Sequence, residues 1–111
     1  MTISYETFES VDIRVGTVVR AEFFERTKKP AYKVWVNFGE TLGVLQTSAQ
    51  ITVHYTPEDL IGKQVIGCVN LGEKNIAGFL SQFLLLGFCD NNGAICLPSF
   101  LHNIPNGNKI Y

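Results

Sequence analysis

The chain has 111 residues, a formal net charge of −1 and a pI near 6.1. Its 46% hydrophobic and 17% charged residues exclude a disordered chain. Ten acids against nine bases exclude a chain-wide basic field, so any polyanion binding needs a local cluster of cations. The length fits one domain over residues 1–111, which at this size buries roughly two-thirds of its unfolded surface. Charge this sparse fits either a well-packed β core or apolar surface hidden between copies of an oligomer.

Cys68, Cys89 and Cys96 are odd in number, form no CxxC pair and have apolar flanks. They read as reduced, buried thiols of a cytoplasmic protein, with neither a disulfide framework nor a metal site expected. The opening TISYETFESVD has neither the basic region nor the long apolar core of a signal peptide. Apolar runs such as FLLLGF fall far short of the ~20 residues that span a bilayer, so no membrane insertion is expected.

In chain order, SYETFE (4–9) is predicted to form a short entry helix. VDIRVGTVVRAEFF then alternates, with Val11, Ile13 and Val15 on one side of a first strand and Asp12 and Arg14 on the other. Gly16 interrupts the alternation and predicts a bulge or bend. ERTKKP is a charged loop whose Arg26, Lys28 and Lys29 either reach phosphates or form a solvated tip. AYKVWVNFGE alternates again, Tyr32, Val34, Val36 and Phe38 facing one way and Lys33, Trp35 and Asn37 the other, before Gly39 turns the chain.

LGVLQTS is a third strand. TPEDLIG is a one-turn helix, with Thr56 as cap, Pro57 at the first position, Glu58 and Asp59 at the positive end and Gly62 as stop. QVIGCVN is a fourth strand, SQFLLLGF a fifth and AICLP a short sixth, the last two joined by the turn Asp90-Asn91-Asn92-Gly93. Ile104-Pro105-Asn106-Gly107 is another strong turn. Five or six short strands with a small helix after the third point to an all-β fold. The expected fold is a five-stranded Greek-key OB-fold barrel with a short helix between strands 3 and 4 and extra terminal segments.

The segments DIRVGTVVRAE (12–22), KPAYKVWVNFGE (29–40), TSAQITVHYTPEDLIGKQV (47–65), VNLGEKNIAGFLSQFLLLG (69–87) and IPNGNKI (104–110) carry a family resemblance. In order and over nearly the whole chain, they resemble the CsaA-type tRNA-binding domain family. That family is related to the C-terminal domain of bacterial methionyl-tRNA synthetases and to EMAP II-like domains. The resemblance implies an OB fold, a homodimer and tRNA binding, and in the CsaA branch a chaperone role in protein export. The family pattern would place the twofold seam near Ile3–Phe8 and Ile104–Tyr111. Three positions depart from it. Asn37-Phe38-Gly39 stands where the CsaA branch reads DFG, and Ser81-Gln82 follows the EMAP II-like branch rather than SE. Ala77-Gly78 lacks the arginine that the EMAP II-like branch carries before the glycine.

Matching the family's central motif are Asn70, Leu71, Lys74, Gly78, Ser81 and Gln82. Amides and a hydroxyl offer the donors and acceptors that read base edges and 2′-hydroxyls, and Lys74 suits a phosphate. The plainer alternative has Asn70 ending a strand, Gly78 turning and Ser81 binding a backbone amide. Lys33 and Trp35 share the outer side of the second strand, on the surface with which OB barrels bind oligonucleotides. There they pair a cation with a stacking plate, unless a partner or loop covers the indole. Thr47, Ser48 and Gln50 match the family's SSAQIT and either bind RNA or satisfy the strand end. Arg14 is better placed than Arg20 for a partner, with a salt bridge to Asp12 as the alternative.

His54 and His102 stand alone, without a carboxylate at motif spacing, and no nucleophile triad, phosphate loop or carboxylate pair is legible. No catalytic residue, cofactor or metal is expected. The expected RNA-binding set is Lys33, Trp35, Ser48, Gln50, Asn70, Lys74, Ser81 and Gln82. The expected function is a homodimeric tRNA-binding protein that recognises folded RNA by shape and backbone. The alternative is an export-related chaperone for unfolded or presecretory polypeptides.

Overall fold

The computed structural model describes residues 1–111. Helix α1 (Tyr5–Ser10) begins at Ser4, whose hydroxyl accepts the Thr7 amide at 3.1 Å. There follow β1 (Ile13–Phe23), β2 (Tyr32–Asn37), a one-turn α2 (Gly39–Leu42), β3 (Val44–Ala49) and α3 (Pro57–Leu60). The rest of the chain carries β4 (Gln64–Cys68), β5 (Lys74–Ile76), β6 (Phe79–Ser81), β7 (Leu84–Leu85), β8 (Phe88–Cys89) and β9 (Ile95–Cys96).

Five antiparallel strands lie in the order β3-β2-β1-β4-β7, the arrangement of an OB-type barrel, with α3 between the third and fourth strands as the sequence predicts. The alternation in β2 holds: Tyr32, Val34 and Val36 are buried, and Lys33, Trp35 and Asn37 are half-buried on the outer side. The core gathers Val18, Val34, Val36, Phe38, Val65 and Phe83, and Leu60 of α3 is buried against it. The Phe38 and Phe83 rings meet edge to face at 5.0 Å. Two glycines make room for them. A Cβ on Gly16 would lie 2.5 Å from Val36 Cγ1 and 2.9 Å from Phe38, and one on Gly67 would lie 2.7 Å from Phe83.

Between β3 and the chain after β6 the barrel closes through side chains as much as backbone. The Gln82 amide donates to the Gln46 carbonyl at 2.8 Å, and the Gln46 amide donates to Gln82 Oε1 at 3.0 Å. The Ser48 amide donates to Ser81 Oγ at 3.1 Å. Thr47 Oγ1, buried, donates to the Phe83 carbonyl at 2.7 Å. These bonds satisfy the β3 edge where no regular strand partner runs beside it.

Several expectations are corrected. Gly16 does not bulge: it pairs in register with Val65, and its missing side chain serves the packing above. The irregularity in β1 falls between Val18 and Arg20 instead. Val11 lies before β1, as the C-cap of α1, and is exposed. Of the three cysteines only Cys68 is buried; Cys89 is exposed and Cys96 half-buried, on a hairpin outside the five-stranded sheet. SQFLLLGF is not one strand; it divides into the end of β6, β7 and the start of β8, because Gln82 and Phe83 are engaged in closing the barrel. Gly39 opens α2 with φ +93°. The Asp90–Gly93 turn joins β8 to β9 as expected. The terminal segment returns along β1, with the Val15 amide donating to the Asn108 carbonyl and the Ile110 amide to the Ile13 carbonyl. No helix is long and apolar enough to cross a membrane.

Replacing Thr47 by valine keeps the shape and leaves the Phe83 carbonyl without its buried donor. A loss of about 1–3 kcal/mol in urea unfolding is expected, with the slope unchanged. At α3, Thr56 and Asp59 form a reciprocal capping box. The Thr56 backbone amide and then its hydroxyl, with help from the Lys63 charge, hold the Asp59 carboxyl below its ordinary value. A lowered carboxyl stabilises the fold fully above its unfolded value and loses that contribution as pH falls through the folded one. The acid limb of thermal stability should therefore flatten in Asp59→Asn, measured as melting temperature from neutral to acidic pH.

Candidate nucleic-acid interface

Residues paired directly across antiparallel strands share a face. On the outside of the barrel this places Arg20, Trp35 and Gln46 in one row and Glu22, Lys33 and Ser48 in the next. The Arg20 guanidinium lies 4.4 Å over the Trp35 ring, and Trp35 Nε1 donates to Gln46 Oε1 at 3.2 Å. Lys33 Nζ sits 4.9 Å from the Phe24 ring centroid and 5.0 Å from that of Phe79. Phe79 in turn meets Trp35 at 5.8 Å and Phe24 at 5.5 Å, edge to face in both cases. Two cations thus rest on a run of three aromatic rings, with ring faces attracting the positive heads.

Phe79 belongs to the hairpin of β5 and β6, which sits beside β3. Its turn needs positive φ at both central residues, supplied by Ala77 at +50° and Gly78 at +86°. Gly78 is further held by its amide donating to Asn75 Oδ1 at 2.9 Å. Lys74 and Ser81 are register partners across the hairpin. Both line a cleft of about 450 Å³ with Thr47, Ser48, Glu73 and Phe83. Arg26 reaches the same hairpin from the β1–β2 loop: its Nη1 is 3.5 Å from where a Gly78 Cβ would be.

The structure brings Lys33, Trp35, Ser48, Lys74 and Ser81 onto or beside this one surface. Their availability differs. Lys74 is exposed, whereas Ser81 is 8% exposed and its hydroxyl accepts the Ser48 amide, 3.3 Å from the Ser48 hydroxyl. Trp35 is no bare stacking plate, since Arg20 covers a ring face. Gln82 is occupied with barrel closure, and Gln50 is exposed just past β3. Asn70 is exposed, but its side chain is engaged by the fold's own backbone: Oδ1 accepts the Asp12 amide at 2.9 Å and Nδ2 donates to the Ser10 carbonyl at 2.8 Å. Arg14 is likewise committed, to Asp12 at 2.7 Å and to the Gly107 carbonyl at 2.9 Å, so Arg20 rather than Arg14 stands on the outer surface.

Sequence reasoning missed Phe24, Gln46 and Phe79. Gln46 carried a usable signal, because period two places it outward with Ser48. The partnership of Phe24 and Phe79 carried none, since it depends on where the hairpin docks.

A five-stranded OB-type barrel with cations on an aromatic shelf defines the class of small nucleic-acid-binding barrels. The family described as "Putative tRNA binding domain" matches residues 13–109, and the chain belongs to the CsaA-type tRNA-binding domain family. The crystal structure of the chaperone CsaA from Bacillus anthracis is 43% identical and superposes with a TM-score of 0.92, covering all of both chains. The MetRS related protein of Pyrococcus horikoshii is 30% identical with a TM-score of 0.87, covering 100% of this chain and 99% of its own. The methionine–tRNA ligase of Chlorobium chlorochromatii is 41% identical over 93 residues, which is 84% of this chain and 13% of that ligase. The chain thus corresponds to a small part of the methionine–tRNA ligases it matches.

Ser81 and Lys74 separate by experiment. Ser81→Ala strips the Ser48 amide of its acceptor and should cost about 1–2 kcal/mol in chemical denaturation. Lys74→Glu, at an exposed site, should stay within about 0.5 kcal/mol of the parent in the same measurement.

Proposed function

We propose that the chain is a tRNA-binding module, one domain over residues 1–111, that acts as a homodimer and recognises folded RNA by shape and backbone. The observation that carries this reading is the gathering of Arg20, Arg26, Lys33 and Lys74 around the β5–β6 hairpin in a chain of net charge −1. A local patch of this kind supplies the phosphate contacts that the overall charge does not. Arg20 presents a guanidinium plane over Trp35, a surface on which an unstacked base can lie. Arg26 brings a cation to the turn at Gly78, beside the position where EMAP II-like domains carry their arginine and this chain has Ala77.

Glu22, 2.9 Å from Arg20, and Glu73 by the cleft offset part of this charge. A twofold pairing doubles the cations available to one RNA. Support for pairing comes from apolar side chains left in water near both ends, including Ile3, Tyr5, Ile110 and Tyr111. Tyr5, Phe8, Ile104, Ile110 and Tyr111 line one shared groove there, in the region of the expected seam.

The test is a tRNA gel-shift series across salt concentration. Each phosphate contact contributes roughly −0.7 to −0.9 to the slope of log affinity against log salt. A slope corresponding to several contacts is expected for the parent. A shallower slope and at least tenfold weaker binding are expected for Arg20→Glu and Lys74→Glu. Salt-independent binding, or parent affinity in both variants, overturns the reading.

A second reading takes the exposed apolar residues as a docking surface for unfolded polypeptide. It is supported by them and by the chaperone name of the Bacillus anthracis relative. Suppression of aggregation that added tRNA leaves untouched would favour it.

A further inference from the structure

His54 is far in sequence from Asp90 and Cys96, which belong to one hairpin, and none forms a motif with another. The fold collects them. His54 lies in the segment between β3 and α3, Asp90 at the start of the β8–β9 turn and Cys96 at the end of β9. One ligating atom from each side chain falls within 4.8 Å of the other two. We propose that these three side chains form a binding site for a zinc ion, completed by water.

The donor set suits this ion. Imidazole nitrogen, carboxylate oxygen and thiolate sulfur are the three ligand types that tetrahedral zinc takes, and three protein ligands with a water in the fourth position is a recurrent arrangement. Bond lengths of about 2.0–2.3 Å place donor atoms about 3.3–3.6 Å apart in a tetrahedron. His54 Nε2 and Asp90 Oδ2, now 2.7 Å apart, separate by about half an ångström to admit the ion. On binding, the Cys96 thiol gives up its proton to solvent, and the His54 Nε2 proton that bonds Asp90 moves to Nδ1 by way of solvent, which frees Nε2 for the ion.

Asp90, and the segments that carry the other two ligands, are held in place by groups that do not ligate. Asp90 Oδ1 accepts the amides of Asn92 at 2.8 Å and Ala94 at 3.0 Å, which leaves Oδ2 for the ion. Tyr55, next to His54, accepts the amide of Leu97, next to Cys96, on its hydroxyl at 2.7 Å. The Tyr55 carbonyl in turn accepts the hydroxyl of buried Tyr32 at 2.7 Å. The segments carrying His54 and Cys96 are therefore tied to each other and to the barrel, as preorganised metal sites require. His54 is exposed and the other two are half-buried, so an ion has an open path in.

The experiment uses the full chain, freed of metal with a chelator and kept reduced, then dialysed against Zn²⁺. One zinc per chain is expected by elemental analysis, with a rise in melting temperature. Co²⁺ in its place should give a thiolate-to-cobalt charge-transfer absorption. Cys96→Ser should remove that band and weaken zinc binding at least tenfold, while Cys89→Ser leaves both unchanged. His54→Gln should weaken zinc binding to a similar degree and carries the test if Cys96→Ser does not fold. Failure to take up stoichiometric zinc, or uptake that both His54→Gln and Cys96→Ser leave unaltered, overturns the proposal. Neither result bears on RNA binding, which the salt series reads separately.

Discussion

The barrel depends on one seam. Five strands pair along ladders, but the outer edge of β3 meets chain that is not a continuous strand. Gln82 answers the Gln46 amide and carbonyl with its own side-chain oxygen and backbone amide. Ser81 and Thr47 complete the seam with hydroxyls that respectively accept from and donate to backbone. Buried backbone groups left unpaired cost more than a formed hydrogen bond gains, so the seam selects polar side chains of definite length. That requirement explains a Ser-Gln pair leading into an otherwise apolar run.

The seam also determines where the outer surface forms. Because Ser81 is tied to Ser48, the β5–β6 hairpin lies against β3 and carries Phe79 to Trp35 and Phe24. The hairpin is also held by Gln46, whose side-chain nitrogen donates to the Leu80 carbonyl at 2.9 Å. Lys33 then finds the Phe79 ring face, and Arg26 and Lys74 flank the turn. Stability and surface charge are therefore linked. The residues that close the barrel are not themselves the most available to a ligand, yet they place those that are.

What the sequence made legible follows from the range of the forces involved. Period two in residues 32–38, the cap at Thr56 and the turn at Asp90–Gly93 are local patterns, and the structure repeats them. Gly16 was misread because a bulge and a close approach both select glycine, and only the position of Phe38 distinguishes them. SQFLLLGF was misread because its apolar content hides the break that Gln82 imposes. For the outer surface, the resemblance and the alternation placed Lys33, Trp35, Lys74 and Ser81 on candidate positions. The engagement of Ser81, Gln82 and Asn70 with backbone partners is a matter of tertiary distance that no spacing reveals.

Ala77 has one more consequence. Its left-handed backbone already carries the strain that any side chain with a Cβ meets there, about 1–2 kcal/mol. Lengthening that methyl into a basic side chain adds no conformational burden of the same kind. In this hairpin, then, a basic side chain at the turn can be gained or lost while the loop keeps its shape.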